Sequence, residues 1–259
     1  MFDFSLPAFL GAIAIGLSLG ILGSGGSVLT VPVLVYLVGQ DEKVAIAGSL
    51  GVVGSIALAG ALPYIRRRMI DGRSLLLFGL PGMGGTWIGA WLAAFVSGAV
   101  QLSAFALVML LAAVMMLRPV AARATAAPRV AWKIVADGLV VGVLTGFVGV
   151  GGGFLIVPAL VLLGGLSMHR AVATSLAIIA MKSFSGLIKY LDVLADSGQQ
   201  LDWSVLAQVT ILGIAGSLLG HRLARRLHQD RLKQGFGIFL IAMGVFIIWR
   251  NLPLLLASA

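Results

Sequence analysis

A glycine-rich break interrupts a long apolar stretch twice in this chain, in the same register each time. Gly16–Pro32 reads GLSLGILGSGGSVLTVP and Gly142–Pro158 reads GVLTGFVGVGGGFLIVP. An offset of 126 aligns Gly16 with Gly142, Gly20 with Gly146, Gly23 with Gly149, Gly25 and Gly26 with Gly151 and Gly152, and Pro32 with Pro158. Broken apolar segments at corresponding positions of two halves are the sequence sign of a ligand site near a membrane midplane.

The rest of the chain agrees with a membrane setting. It is 60% hydrophobic and 10% charged, far from a soluble domain. Several apolar runs reach the roughly 20 residues that cross a bilayer as helices. The reading is an all-α integral membrane protein with the lipid bilayer as its surroundings. The net charge of +9 does not indicate nucleic acid, because the basic residues cluster in short loops between apolar spans and read as orientation signals. The absence of cysteine excludes disulfides and thiolate metal sites. MFDFSLPAF lacks a basic n-region, so the first segment reads as retained rather than cleaved.

Hydropathy gives four segments per half: about Leu6–Gly39, Val44–Ile65, Ser74–Val96 and Leu102–Leu117, then Ile134–Gly165, Ala171–Leu191, Trp203–Leu223 and Gln234–Trp249. Gly82, Gly85 and Gly89 pair with Gly213, Gly216 and Gly220. The organisation is a first membrane repeat at 1–120, a cytoplasmic linker at 121–131 and a second repeat at 132–259. Leu6–Gly39 as one helix would run about 51 Å, too long for one ordinary span. Two full spans and a turn would need about 40 residues. The glycine break resolves this if the chain turns within the membrane, which is tolerated where backbone is buried in protein or lines a water-filled cavity.

Loop charge supports the break. Arg66, Arg67, Arg68 and Arg73 crowd one loop; Arg118, Arg123, Arg129 and Lys133 the linker; Arg222, Arg225, Arg226, Arg231 and Lys233 the last loop. The loop near Leu191–Trp203 carries Asp192, Asp196 and Asp202 and no Lys or Arg. The first three are therefore cytoplasmic and the last is outside. Only an odd number of crossings per half allows this, so the two repeats have inverted topology and both termini lie outside. Arg250 is the one charge out of place.

The repeated break followed by Val-Pro, with a Ser-Leu pair in the next helix (Ser49-Leu50 and Ser175-Leu176), resembles the sulfite exporter TauE/SafE family. GVGGGFLIVP at Gly149–Pro158 and ATSL at Ala173–Leu176 carry the most specific part of the resemblance. It implies transport of a small inorganic or organic sulfur anion, such as sulfite or an organosulfonate, across a bacterial inner membrane. The first half departs from the pattern: Ser24 and Ser27 replace apolar and glycine positions, and Gly48 replaces Thr174.

Where a helix restarts after a break, its first N–H groups are unpaired and the positive dipole end attracts anions. Gly25, Gly26 and Ser27, with Gly151, Gly152 and Gly153, are the candidate anion-facing backbone; the competing role is tight helix packing. Pro32 and Pro158 would sit in first turns, where proline costs little. Lys182 falls near mid-membrane, where a lysine costs about 2.5–3.5 kcal/mol and needs a partner. Its repeat equivalent is Ile56. A bound anion would offset the cost; snorkelling, or a bond to backbone carbonyls of the broken hairpin, is the alternative. Ser49, Ser175 and Thr174 could donate to an oxyanion or bond their own helix backbone. Lys189 reads as interfacial. His169-Arg170 and His221-Arg222 read as anchors, and Gly85/Gly89 and Gly216/Gly220 as packing.

No nucleophile–base cluster, H-E-x-x-H or P-loop occurs, so an enzyme has no catalytic constellation, and no cofactor is implied. The expectation is a secondary transporter of a small sulfur oxyanion, with a passive anion channel as the first alternative and an intramembrane enzyme as the second. The sequence leaves the oligomeric state open, a homo-oligomer included.

Overall fold

A computed structural model describes residues 5–22, 25–117, 130–162, 165–224 and 229–257. Most of the expected linker lies outside them, as do Gly23, Ser24, Arg118, Arg123, Arg129, Arg225 and Arg226. All regular structure among the described residues is helical.

The broken first segment becomes α1 (Leu6–Leu22) and α2 (25–37). Three further helices complete this half: α3 (Glu42–Arg66), α4 (Gly72–Phe95) and α5 (Gly98–Leu117). The second half repeats the order with α6 (Ala131–Val148), α7 (Gly153–Leu162), α8 (Met168–Asp196), α9 (Trp203–Ala224) and α10 (Gln229–Ala257). Among the described residues five helices are long and apolar enough to cross a bilayer: α3, α4, α6, α8 and α9. At about 1.5 Å per residue α7 is about 15 Å long and α2 about 20 Å, each short of the roughly 30 Å hydrocarbon core. These two are the second arms of the broken hairpins.

The prolines depart from expectation. Pro32 lies well inside α2, where α geometry (Thr30–Pro32) passes into a wider π turn (Val33–Leu37). The wider turn changes the hydrogen-bond register beside the missing N–H. Pro158 falls in the second turn of α7, not its first. Helix α10 also runs beyond the expected Gln234–Trp249, because the polar start QDRLK lies outside a hydropathy window and Arg250-Asn251 interrupt the apolar run without ending the helix, which continues through LPLLLA.

The main packing is reciprocal. Helix α1 lies along α9, and its counterpart α6 lies along α4, while α3 meets α8 and α5 meets α10. Glycines set the first two contacts. A side chain on Gly16 would strike the Gly213 carbonyl, and one on Gly20 that of Ser217; Gly216 and Gly220 face the carbonyls of Ile13 and Leu17. The other seam matches it, with Gly142 and Gly146 against the carbonyls of Gly82 and Thr86, and Gly85 and Gly89 against those of Leu139 and Val143. Backbones approach this closely only without Cβ atoms, as small residues allow between membrane helices. The registers make both seams parallel. Gly51 near Leu187, Gly54 near Ser183 and Gly60 near Leu176 make α3 and α8 antiparallel.

Helices α3 and α8 form the buried centre, while α6 and α9 expose most of their apolar surface. Trp87, Trp91, Trp132, Trp203 and Trp249 are all exposed, an outer face suited to acyl chains and headgroups.

Candidate functional site

The second break is described in full. Helix α6 ends at Gly149, whose left-handed conformation (φ +71°) lets its N–H reach the Thr145 carbonyl. Gly152 is also left-handed (φ +75°), and α7 starts at Gly153. Residues Val150, Gly151, Gly152 and Gly153 are all buried. Their amides open α7, so the positive end of a short helix sits inside the protein. Side chains are excluded here: a Cβ on Gly151 would meet Val53, Ile179 and Ser183, and one on Gly152 would strike Thr145.

Lys182 faces this break from α8. It is 1% exposed, so its amine does not snorkel to a membrane surface. Its Nζ donates to the Thr145 hydroxyl at 3.0 Å, and Thr145 passes its own proton to the Val141 carbonyl at 2.7 Å. Gly82 on α4 makes room for the lysine stem, since a Cβ there would stand 3.0 Å from Lys182 Cδ. An ammonium has three N–H donors. Among the described residues Thr145 alone receives one. Beside it, the Ser183 hydroxyl is buried and has no hydrogen-bond partner. A Cβ on Gly151 would lie 2.8 Å from that oxygen. The site therefore gathers an amine, a hydroxyl and the backbone amides that open α7, and among the described residues no carboxylate pairs with Lys182.

The sequence-predicted residues divide into those gathered here and those not. Gly151, Gly152, Gly153 and Lys182 come together. The segment Gly25–Leu29, containing Gly25, Gly26 and Ser27, forms a short 3-10 turn that contacts α7, so the two breaks adjoin. Ser27 is fully buried. Ser49 reaches the second break differently from expectation: its hydroxyl bonds the Gly149 carbonyl and also contacts the Ile46 carbonyl at 2.7 Å. Ser175 bonds its own helix at Val172, 2.9 Å. Thr174 accepts the Asp71 N–H at 2.9 Å, tying the α3–α4 loop to α8. Thr174 and Ser175 lie two turns from Lys182.

Thr145 and Ser183 were missed by sequence reasoning. A signal existed for each: Thr145 is a lone hydroxyl one turn before the break, and Ser183 adjoins the intramembrane lysine.

The ends of the bundle hold ordinary anchors. Arg170 pairs with Asp71 at 3.4 Å, and the His221 ring meets Tyr64 edge-on with centroids 5.9 Å apart. Lys189 pairs with Asp192 at 3.3 Å and lies 5.1 Å over the Trp87 ring, which leaves it interfacial. At Asp71 partial burial alone would raise the carboxyl pKa. Hydrogen bonds from Ser74, including its N–H at 2.8 Å, and the charges of Arg170 and Arg73 outweigh that and hold it below the ordinary value.

A family model described as sulfite exporter TauE/SafE matches residues 8–247. A probable membrane transporter protein of Xylella fastidiosa (strain 9a5c) is 33% identical over 251 residues, covering 94% of each chain. The probable membrane transporter protein YunE of Bacillus subtilis (strain 168) is 28% identical, covering 95% of this chain and 99% of its own. A further probable membrane transporter protein, MJ0441 of Methanocaldococcus jannaschii, is 23% identical over 91% of this chain and 94% of its own. No solved structure matches.

Proposed function

The chain belongs to the sulfite exporter TauE/SafE family, and from that membership we propose that it is a secondary transporter of a small sulfur oxyanion, sulfite or an organosulfonate. It is a multi-pass membrane protein of a transporter family. In our reading the halves are inverted repeats in an inner membrane with both termini outside. The antiparallel α3–α8 pair and the reciprocal seams support that reading, as does the basic loop charge at one end. One anion sits near midplane, where the amides opening α7, Lys182 and Ser183 converge. One repeat rocking against the other would open this site to either side in turn.

The observation that carries the proposal is Lys182: a fully buried lysine, with one neutral partner, beside a buried helix start. A charge so placed is costly unless something of opposite sign visits it. With a negative cell interior, an uncoupled anion carrier exports, driven by about 2.3 kcal/mol per charge per 100 mV.

The test is flux in proteoliposomes of sulfite, sulfate, taurine, sulfoacetate and chloride under an imposed potential, wild type beside Lys182→Ala. Saturable sulfite or sulfonate flux that follows the potential and collapses in the mutant is the expected result. Flux insensitive to potential would overturn export as stated. Flux preserved in the mutant would remove Lys182 from the site.

A further inference from the structure

A second polar site lies at the far end of α2 from its glycine break. There a cavity of about 450 Å³ opens between α2, α3, α5 and α10, lined by Val35, Tyr36, Glu42, Leu102, Arg250 and Asn251. Its size falls within the range of about 300–1,000 Å³ common to small-molecule sites. Arg250 is the charge that loop topology does not absorb. Its guanidinium lies over the Tyr36 ring at 5.2 Å, and that ring is braced edge-on by Phe246 at 5.4 Å.

Three observations mark the cavity as more than a surface dent. Asn251 is 3% exposed, and its amide nitrogen has no hydrogen-bond partner. The Tyr36 hydroxyl is likewise shut off from solvent and unpartnered, close to Asn251 but without a well-formed hydrogen bond. Buried polar groups are ordinarily satisfied, so the Asn251 amide nitrogen on the cavity wall points to an absent partner, while the Tyr36 hydroxyl has the Asn251 side chain within reach. Thirdly, Val35 and Tyr36 are set into the cavity by the π turn Val33–Leu37, a geometry frequent at functional sites.

The charges on the wall decide what fits. Arg250 and Glu42 line the same cavity, yet among the described residues no ion pair joins them. Gly98 leaves room for the Glu42 side chain, because a Cβ there would press on it. One positive and one negative group, held apart, give the cavity no net attraction for a simple anion. They suit a molecule that carries both signs at a separation.

We propose that this cavity binds a small zwitterion. Its anionic head, a carboxylate, sulfonate or phosphate, is held by the Arg250 guanidinium and the Asn251 amide, and its ammonium faces Glu42. Arginine suits the planar, multi-oxygen head, and the face of Tyr36 holds the guanidinium in place. The site is separate from Lys182 and does not depend on the transport reading. The same chemistry is offered by a free amino acid or aminosulfonate and by the headgroup of phosphatidylethanolamine.

The experiment uses the full chain in nanodiscs of phosphatidylglycerol, titrated calorimetrically with taurine and β-alanine. Acetate and ethylamine serve as one-charge controls. Both zwitterions should bind at least about tenfold more tightly than any control, and Arg250→Gln and Glu42→Gln should each weaken them by about tenfold or more. Tyr36→Phe, which keeps the ring, should give a smaller loss. In a second arm, nanodiscs containing phosphatidylethanolamine are titrated, and lipid retained through purification is counted by mass spectrometry. If the headgroup is the occupant, soluble ligands are displaced and retained phosphatidylethanolamine falls in Arg250→Gln. Three results would overturn the proposal: acetate or ethylamine binding as tightly as β-alanine, folded Arg250→Gln and Glu42→Gln binding like wild type, or neither soluble zwitterion binding and no phosphatidylethanolamine retained.

Discussion

The two halves use one backbone slot for different purposes. In the first, Ile56 on α3 points at Gly213 on α9. In the second, its counterpart Lys182 on α8 lies against Gly82 on α4, the repeat partner of Gly213. Leu19 stands where the second half has Thr145, and Ala57 where it has Ser183. Both Ile56 and Leu19 are buried in the apolar core. The glycine seams are alike in both halves, whereas the polar groups are confined to one. Packing preserves the symmetry and chemistry breaks it: both halves need close helix contact, while in the proposed function a single anion needs one positive site.

The largest expected effect tests the shared part. Gly146→Leu would drive a side chain into the Thr86 backbone, which has no flexible atom to give way. Overpacking of this kind costs about 3 kcal/mol or more, and the variant should fail to give a monodisperse peak on size exclusion. Gly20→Leu should fail equally if the seams are equivalent. Gly84→Ala, with nothing near its Cβ position, should behave like wild type.

Lys182→Ile sharpens the contrast by giving the second half the first half's residue. The protein should fold with stability equal to or above wild type, since a lysine at this depth costs about 2.5–3.5 kcal/mol. Sulfite flux should fall by at least about tenfold. The reverse change, Ile56→Lys, buries an amine in the apolar core beside Gly213, and thermal unfolding should report a clear loss of stability.

The matched serines should differ by a smaller margin. Ser49→Ala removes the link from α3 to the Gly149 carbonyl and should cost about 1–2 kcal/mol in thermal or denaturant unfolding. Ser175→Ala loses only a bond within its own helix and should cost less than about 0.5 kcal/mol. Equal losses would mean that Ser49 does not brace the break.

The smallest effect concerns Asp71. Its carboxyl pKa is lowered on folding, so its contribution is full above the unfolded value of 3.8 and fades as pH falls through the lower folded value. The pair with Arg170 is partly exposed, and Asp71→Asn should cost no more than about 1 kcal/mol near neutrality. It should also flatten the stability profile below about pH 4.

Much of the fold was legible because membranes constrain sequence severely. Apolar runs placed α3, α4, α8 and α9 to within a few residues, and the duplicated glycines marked where α1 and α6 stop. The prolines were placed one turn too early. Proline tolerates several local geometries, and the wider π turn after Pro32 leaves no pattern in hydropathy. At the site, Lys182 stood out because charge is rare at that depth. Thr145 and Ser183 did not, since a hydroxyl in a membrane helix ordinarily bonds its own backbone and its freedom depends on what lies opposite.

The sequence by itself determined the membrane setting, the duplication, the two breaks and the asymmetry of charge between halves. Each of these follows from composition or spacing, which read the cost of burying polar groups in lipid. Only the tertiary structure decided which seams the glycines serve, that Ser49 spends its hydroxyl on Gly149, and that Arg250 and Glu42 share a cavity without pairing. Those outcomes join residues about 50 to 210 positions apart, where no local periodicity reaches and side-chain packing alone selects the partner.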